Sequence, residues 1–331
     1  MREFEKKIIA ELGSVHDGSF GNAMKLLELA AKKGADIVKF QLHLSKEEMV
    51  DSAQSPSYFS SETRKDYFDR ILFSPLQLEK LIKHCKKHNV VFLCSPFSLR
   101  AVEILMQLNV SSFKIASGEV NNLYLLEKIA KTKKKIYLST GMSNYKDIQK
   151  AVNIFKDNDL TVMQCTSQYP CSIDKVGLNN LKIFKNKFKC NIGFSDHYLG
   201  LEAGFAAAAM GANVIEKHFT FSKEMYGSDA QFAMEPDEFE IYVNGIRNIW
   251  KMNEKNVDKD DLFFLRNMKK IFEKSIFLSK DLNINHKITI EDLLFLKPGD
   301  GISASEYKKV LGKKIKKNLK SYHKLKLRDL I

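Results

Sequence analysis

NIGFSDH (191–197) and NVIEKHF (213–219) close a series of eight short apolar runs, each of which ends in a polar or charged residue. The six before them are IIAELG (8–13), DIVKFQ (36–41), VVFLCSP (90–96), FKIASGE (113–119), IYLSTGM (136–142) and TVMQCTS (161–167). Near-continuous apolar runs suit strands covered on both faces, as in a parallel sheet. Amphipathic stretches such as NAMKLLELAAKK (22–33) and PLQLEKLIKHCKKH (75–88) lie between several of them, giving a strand-helix rhythm. Eight such units predict an α/β fold, a closed (β/α)8 TIM barrel. In that architecture, chemistry collects at the C-terminal ends of the strands, where eight loops converge. Those ends carry Glu11, Lys39, Gln41, Ser95, Lys114, Ser117, Ser139, Ser167, Ser195, His197, Glu216 and His218, an inventory suited to holding an anion and a metal ion.

A chain of 331 residues has room for a barrel of about 250 residues and one small domain. The pattern places the barrel at 1–255, a linker at 256–272 and a second domain at 273–331. The second domain contains a repeat: KDLNINHKITIEDLL (280–294) matches KNLKSYHKLKLRDLI (317–331) at Lys, Leu, His, Lys, Asp and Leu. Duplicated strand-turn-strand units of this length predict a compact β-rich domain with pseudo-twofold symmetry. So few residues bury little surface alone, so this domain is expected to dock on something larger.

No run approaches the roughly 18 apolar residues of a membrane span, and MREFEKK has no signal-peptide core, so a cytoplasmic protein is expected. Five cysteines without CxxC spacing predict reduced thiols. The formal charge of +13 comes almost wholly from lysine, which argues against specific nucleic-acid readout and for a field that draws in small anions.

Taken in order, GSVHDGS (13–19), VKFQ (38–41), FKIASGE, STGMS (139–143), QCTSQYP (164–170), GFSDH (193–197), EKHFT (216–220) and KPGDGI (297–302) resemble the sialic acid synthase family over nearly the whole chain, including its C-terminal antifreeze-like (SAF) domain. The resemblance implies condensation of phosphoenolpyruvate with an N-acylated amino sugar, giving a nine-carbon 2-keto acid and phosphate. It implies Mn²⁺ or Mg²⁺ as cofactor, and a domain-swapped homodimer in which the small domain of one subunit caps the barrel of the other. Lys114, Ser117, Ser139 and Ser167 correspond to phosphate ligands; Lys39, Ser95 and Ser195 to carboxylate ligands; His197 and His218 to the metal ligands. Glu11 and Glu216 correspond to the family's catalytic carboxylates, and Gln41, Tyr169 and Asp229 to its sugar contacts. Lys297 stands where the family's small domain carries a sugar-binding arginine, Ser167 where some members have asparagine, and Glu273-Lys274-Ser275 lacks an arginine found near the small domain's start. These departures admit a 2,4-diacetamido-trideoxyhexose, leading to a legionaminic- or pseudaminic-type acid, as readily as N-acetylmannosamine.

Two other readings use the same residues. One is a metal-free aldolase with a Schiff base on Lys39 or Lys114; the other is a non-catalytic glycan- or nucleic-acid-binding protein relying on its lysines. Elsewhere, His84 and His88, four apart on a helix among lysines and without an HExxH glutamate, are expected on a solvated face. His286 and His323, matched in the repeat, are expected in structural turns. His16, in the first strand-helix loop, is placed where it can reach a substrate.

Overall fold

The computed structural model describes residues 4–55 and 62–331, which divide into two compact units, the second being Asn256–Ile331. In the first unit, eight strands close into a barrel in sequence order: β1 (Lys7–Gly13), β2 (Ile37–Leu42), β3 (Val91–Pro96), β4 (Ser112–Ile115), β5 (Lys135–Ser139), β6 (Leu160–Gln164), β7 (Asn191–Asp196) and β8 (Val214–His218). Every pairing is parallel, including β1 with β8, which seals the barrel.

Helix α1 (Phe20–Lys32) follows β1, and three helices follow β2: α2 (Ser45–Glu48), α3 (Arg64–Ile71) and α4 (Pro75–Lys87). The remaining strands are followed by α5 (Leu99–Gln107), α6 (Leu123–Ala130), α7 (Tyr145–Ile154), α8 (Asn179–Lys187), α9 (Glu202–Ala209) and α10 (Pro236–Met252). Their starts are written locally. Ser74 caps α4 in a reciprocal box with Gln77, and Pro75 occupies the first turn, where its missing N–H has no partner to lose. Ser98 and Asn144 cap α5 and α7 through their side chains.

Alternation along the strands explains why the apolar runs look continuous. Outward residues such as Ile8, Ala10, Val38, Phe40, Phe113, Ile136, Val162 and Ile215 join the core beneath the helices. The inward residues Ile9, Ile37, Leu93, Tyr137, Met163 and Val214 form a separate buried plug inside the barrel. Both faces are therefore apolar at this level, as expected of a parallel sheet shielded on both sides.

The second unit contains an antiparallel pair, β9 (Ser275–Leu278) with β10 (Leu293–Leu296), around its own core of Ile276, Leu278, Leu282, Ile288, Leu293, Ile302, Val310, Ile315, Leu319, Leu325 and Leu330. The repeat is visible in three dimensions. Leu282 and Leu319 exchange both backbone hydrogen bonds at 2.9 Å. His286 Nε2 lies 2.8 Å from Asp292 Oδ2, and its counterpart His323 Nε2 lies 2.9 Å from Asp329 Oδ2. Both histidines thus fasten turns to buried aspartates, the structural role their matched positions predicted. Within the stretch read as a linker, Arg266–Phe272 forms helix α11, and Lys270 O accepts a 2.8 Å hydrogen bond from Gly299 N, tying this segment into the second unit. A short helix, α12 (Tyr307–Val310), completes it.

All five cysteines are free. Among the described residues, no helix is long and apolar enough to cross a membrane.

Candidate active site

Two residues beyond the apolar plug, the same inward faces turn polar. Ile9 gives way to Glu11, Ile37 to Lys39, Leu93 to Ser95, Tyr137 to Ser139, Met163 to Cys165 and Val214 to Glu216. One more step brings Gln41 and His218. Strand register sets these side by side: Glu11 pairs with Lys39 and with His218, and Ser195 with Glu216. They open into a cavity of about 480 Å³ at the C-terminal mouth.

Fourteen of the sequence-selected residues line this cavity: Glu11, Lys39, Gln41, Ser95, Lys114, Ser117, Ser139, Ser167, Tyr169, Ser195, His197, Glu216, His218 and Asp229. Lys297 is in the second unit, where its ammonium lies 4.9 Å over the Phe272 ring. His16 is corrected. It is buried, stacked on Phe73 with ring centroids 4.4 Å apart, and its Nδ1 accepts from Gly18 N at 3.2 Å, so it supports the loop from beneath.

The centre of the cavity is a charge quartet. Lys39 Nζ lies 2.9 Å from Glu216 Oε1 and 3.2 Å from Glu11 Oε2, while Lys114 Nζ lies 3.3 Å from Glu216 Oε1 and donates to Ser139 Oγ at 2.7 Å. Ser195 Oγ donates to the same Glu216 oxygen at 3.2 Å. Burial alone would push Glu216 up, but Lys114 and Lys39 hold it well below the usual carboxylate range. Glu11 shares only one ammonium, and burial pushes it up to about 7. Burial would lower Lys39, yet Glu11 and Glu216 raise it and keep it charged; for Lys114 burial dominates and its pKa falls. Two carboxylates in one cavity thus differ sharply in proton affinity, the separation that acid-base chemistry uses. Ser95 Oγ and Glu216 Oε2 are buried without a hydrogen-bond partner, which marks them as groups aimed at a ligand.

Beside the quartet, the β5 and β6 ends make a tight donor shelf. Gly141 N donates to Ser117 Oγ at 2.9 Å. A Cβ on Gly141 would collide with the Ser167 hydroxyl and come 2.9 Å from both Ser117 Oγ and Ser167 N, so only glycine admits this approach.

The two histidines close the opposite wall, ring centroids 5.6 Å apart. His197 Nδ1 sits 2.8 Å from Thr166 O, an arrangement in which Nδ1 donates and Nε2 carries the lone pair, 3.1 Å from the Tyr169 hydroxyl. His218 Nδ1 is buried without a partner, and burial holds this imidazole down to about 4 and therefore neutral. Burial would lower His197 as well, but Cys165 and Thr166 O raise its pKa; the nitrogens that His218 and His197 turn to the cavity fit a divalent ion, which would displace the proton of His197. They do not converge with a third side-chain ligand. Among the described residues, the group of three that could hold a metal by proximity is Glu28, His84 and His88, outside this cavity. That corrects the expected solvated face: His84 Nε2 lies 2.9 Å from Glu28 Oε1.

Several cavity residues were not read from the sequence. His43 is sandwiched between Phe68 at 3.7 Å and Phe97 at 3.9 Å, and its Nε2 lies 2.9 Å from Gln41 Oε1. Arg64, Ser14, Glu119, Met142, Cys165 and Ser228 also line the walls. Ser14, Glu119, Met142 and Cys165 lie within GSVHDGS, FKIASGE, STGMS and QCTSQYP and were legible there. Arg64 and Phe68 come from α3, in the long connection after β2, where no periodicity points at a site. Ser14 Oγ donates to Asp229 Oδ2 at 3.2 Å, joining the first and last strand-helix loops.

A family model for the NeuB family matches residues 26–258, and one for the SAF domain matches 273–321. The chain is 39% identical to the N,N'-diacetyllegionaminic acid synthase of Campylobacter jejuni, covering 95% of this chain and 96% of that one. It is 31% identical to the pseudaminic acid synthase of the same organism over 97% and 96% of the two chains. Among solved structures, an N-acetylneuraminic acid synthetase from Leptospira borgpetersenii superposes with a TM-score of 0.71 at 28% identity, covering 80% of this chain and 91% of that one.

Proposed function

The chain belongs to the NeuB family, and on that premise we propose that it condenses phosphoenolpyruvate with an N-acylated amino sugar to a nine-carbon 2-keto sugar acid and phosphate. The observation that carries this reading is a single cavity in which two buried lysines, a shelf of hydroxyl donors, two carboxylates of opposed proton affinity and two imidazoles face one another. Among N-acyl amino sugars, a 2,4-diacetamido-trideoxyhexose is favoured over N-acetylmannosamine. The 39% identity to a legionaminic acid synthase supports this, and so do Phe68, Phe97 and Met142, which offer apolar surface to acetyl and deoxy groups.

Phosphoenolpyruvate brings a phosphate and a carboxylate. Lys114, Ser117, Ser139 and Ser167 take the phosphate, and Lys39, Ser95 and Ser195 take the carboxylate. Before substrate arrives, Glu216 occupies these donors, orients both lysines and keeps Lys39 charged. Gln41, Tyr169 and Asp229 hold the sugar, with its aldehyde toward the histidine wall. His197 and His218 would hold a divalent ion, Mn²⁺ or Mg²⁺, which would supply Lewis-acid polarisation of the aldehyde oxygen. As C3 of phosphoenolpyruvate bonds to the aldehyde carbon, the carbonyl π pair moves to the aldehyde oxygen, whose proton is the one that water gives up in the next step, and the positive charge developing at C2 is stabilised by Glu216, ionised at neutral pH. Water then adds at C2, and Glu11, titrating near 7, is placed to take its proton. Loss of phosphate from C2 leaves the ketone, so one water is consumed for each phosphate released.

The domain roles follow the same reading: the barrel, 1–255, carries the chemistry, and the small domain, 273–331, caps a partner's barrel, with Lys297 contributing to the sugar site. Phe263, Phe264, Met268, Ile271 and Phe272 are exposed on the second unit, an apolar patch of the kind that a second subunit covers. The product is made in the cytoplasm.

A second reading has one observation behind it: the lowered pKa of Lys114 suits an imine-forming amine. Borohydride added during turnover separates the two. The synthase loses activity with EDTA, recovers it with Mn²⁺ and traps no adduct; covalent trapping of pyruvate on Lys114 would overturn it.

A further inference from the structure

Glu28, His84 and His88 gather on the barrel's outer shell, and the reaction proposed above uses none of them. One ligand atom from each lies within 4.8 Å of the other two. His84 and His88 are one helical turn apart at the end of α4, so their rings share a face, with centroids 4.6 Å apart. Glu28 comes from the last turns of α1. We propose that these three residues form a transition-metal site that clips α1 to α4, separate from the catalytic cavity and selective for ions such as Zn²⁺ or Ni²⁺.

Three observations support it. First, the set is two imidazoles and one carboxylate, the ligand chemistry of zinc and nickel rather than of magnesium or calcium. Second, His88 Nε2 is buried and has no hydrogen-bond partner, although both neighbours of the trio offer polar atoms. Third, the site lies near the C-terminal ends of two helices, whose aligned peptide dipoles favour a cation. Because each helix runs back against its strand, the end of α4 is at the rim opposite the cavity mouth.

The opposing term is lysine. Lys25 Nζ is 2.7 Å from Glu28 Oε2, and Lys83, Lys86 and Lys87 lie along the same helix end. Lys25 takes only one carboxylate oxygen; Oε1 faces His84. A hard, strongly hydrated ion gains nothing here to offset that repulsion, whereas coordinate bonds from two imidazoles can. Selectivity for transition metals over Mg²⁺ is therefore part of the proposal. Binding would stabilise the folded chain by mass action, since the unfolded chain does not hold the three ligands together.

The test titrates Zn²⁺ and Ni²⁺ into full-length H197A/H218A protein, which lacks the cavity's imidazoles, and follows binding by calorimetry and thermal unfolding. One equivalent is expected to bind with a rise in melting temperature, while Mg²⁺ at the same concentration gives neither. Adding H84A/H88A is expected to abolish both signals, and Glu28→Gln alone to weaken binding roughly tenfold or more. Should the fourfold variant not fold, the same loss is read in H84A/H88A protein as one fewer Ni²⁺ equivalent than the unmodified protein, with condensation activity unchanged. Absence of binding in H197A/H218A, or binding that H84A/H88A leaves intact, overturns the site. Neither outcome bears on the proposed reaction.

Discussion

Glu11 and Glu216 show how strongly a single residue's neighbours decide its chemistry. They sit on strands that pair through β1 and β8, and both face Lys39, but only Glu216 also faces Lys114. Glu11 therefore stays near 7. Between its unfolded value near 4.5 and about 7, the folded protein holds a proton that the unfolded chain releases, so Glu11 makes stability fall as pH rises through that window. His218, held down to about 4, acts with the opposite sign: its contribution is present above the unfolded value near 6.5 and is lost as pH falls toward 4. Because the two oppose each other, the difference between variants is the useful observable. Relative to the unmodified protein, Glu11→Gln is expected to gain about 3 kcal/mol of unfolding free energy between pH 4.5 and 7, read by urea titration. A difference that does not change with pH would contradict the Glu11 assignment. Lys39→Met leaves two buried carboxylates facing each other without their shared cation, and should cost about 3–5 kcal/mol at pH 8, with less at pH 5 where Glu11 is protonated.

At the scale of elements, alternation along a strand separates the two kinds of buried charge. Glu216 faces the cavity, while Lys217, its neighbour on β8, faces outward and pairs with Asp196 of β7 at 3.0 Å. Tyr242 of α10 donates to that same Asp196 at 2.7 Å, and Lys217 also donates to Tyr198 O. This latch joins β7, β8 and α10 under the catalytic rim. Asp196→Ala should lower stability by about 3–5 kcal/mol, because it strands the buried Lys217 ammonium, and a smaller loss in thermal or urea unfolding would show that water reaches it. The Gly141 shelf is a second element-scale device. Gly141→Ala is expected to fold normally yet raise the KM for phosphoenolpyruvate by at least about tenfold, since displacing Ser117 or Ser167 by about an ångström misplaces phosphate donors. An unchanged KM would remove that shelf from the phosphate site.

These elements also show what was readable beforehand. Strand ends were legible because a barrel's rim breaks apolar runs with polar residues, and that picked out Glu11, Lys39, Glu216 and His218. The inward-outward assignment was hidden, because both faces are apolar below the rim. His84 and His88 carried the spacing of a ligand pair, but their third member comes from α1, 56 positions away in the chain, and spacing within one helix cannot show it. His16 was misread for the converse reason: its position in a rim loop says nothing of Phe73 stacked on it. Arg64 and Phe68 sit in an irregular connection where no period applies.

For the whole molecule, the second unit has a core of its own and a repeat that pairs it internally through Leu282 and Leu319, yet it leaves Phe263, Phe264, Ile271 and Phe272 exposed. The proposed swapped dimer would place Lys297 of one chain over the other's barrel. Mixing inactive Lys297→Ala and His218→Ala chains after unfolding and refolding together then builds one intact site in each mixed dimer. Activity should return to roughly a quarter of that of the unmodified protein, since half the dimers are mixed and each has one of two sites restored. No recovery would place both residues in one subunit's site, and an active Lys297→Ala chain would dispense with Lys297. The most direct measurement of all is phosphate release from phosphoenolpyruvate by chelator-treated protein to which Mn²⁺ and 2,4-diacetamido-trideoxyhexose are returned. Phosphate and nine-carbon keto acid are expected in equal amounts, dependent on both sugar and ion; phosphate release without the sugar, or none with any N-acyl amino sugar, would rule out the condensation.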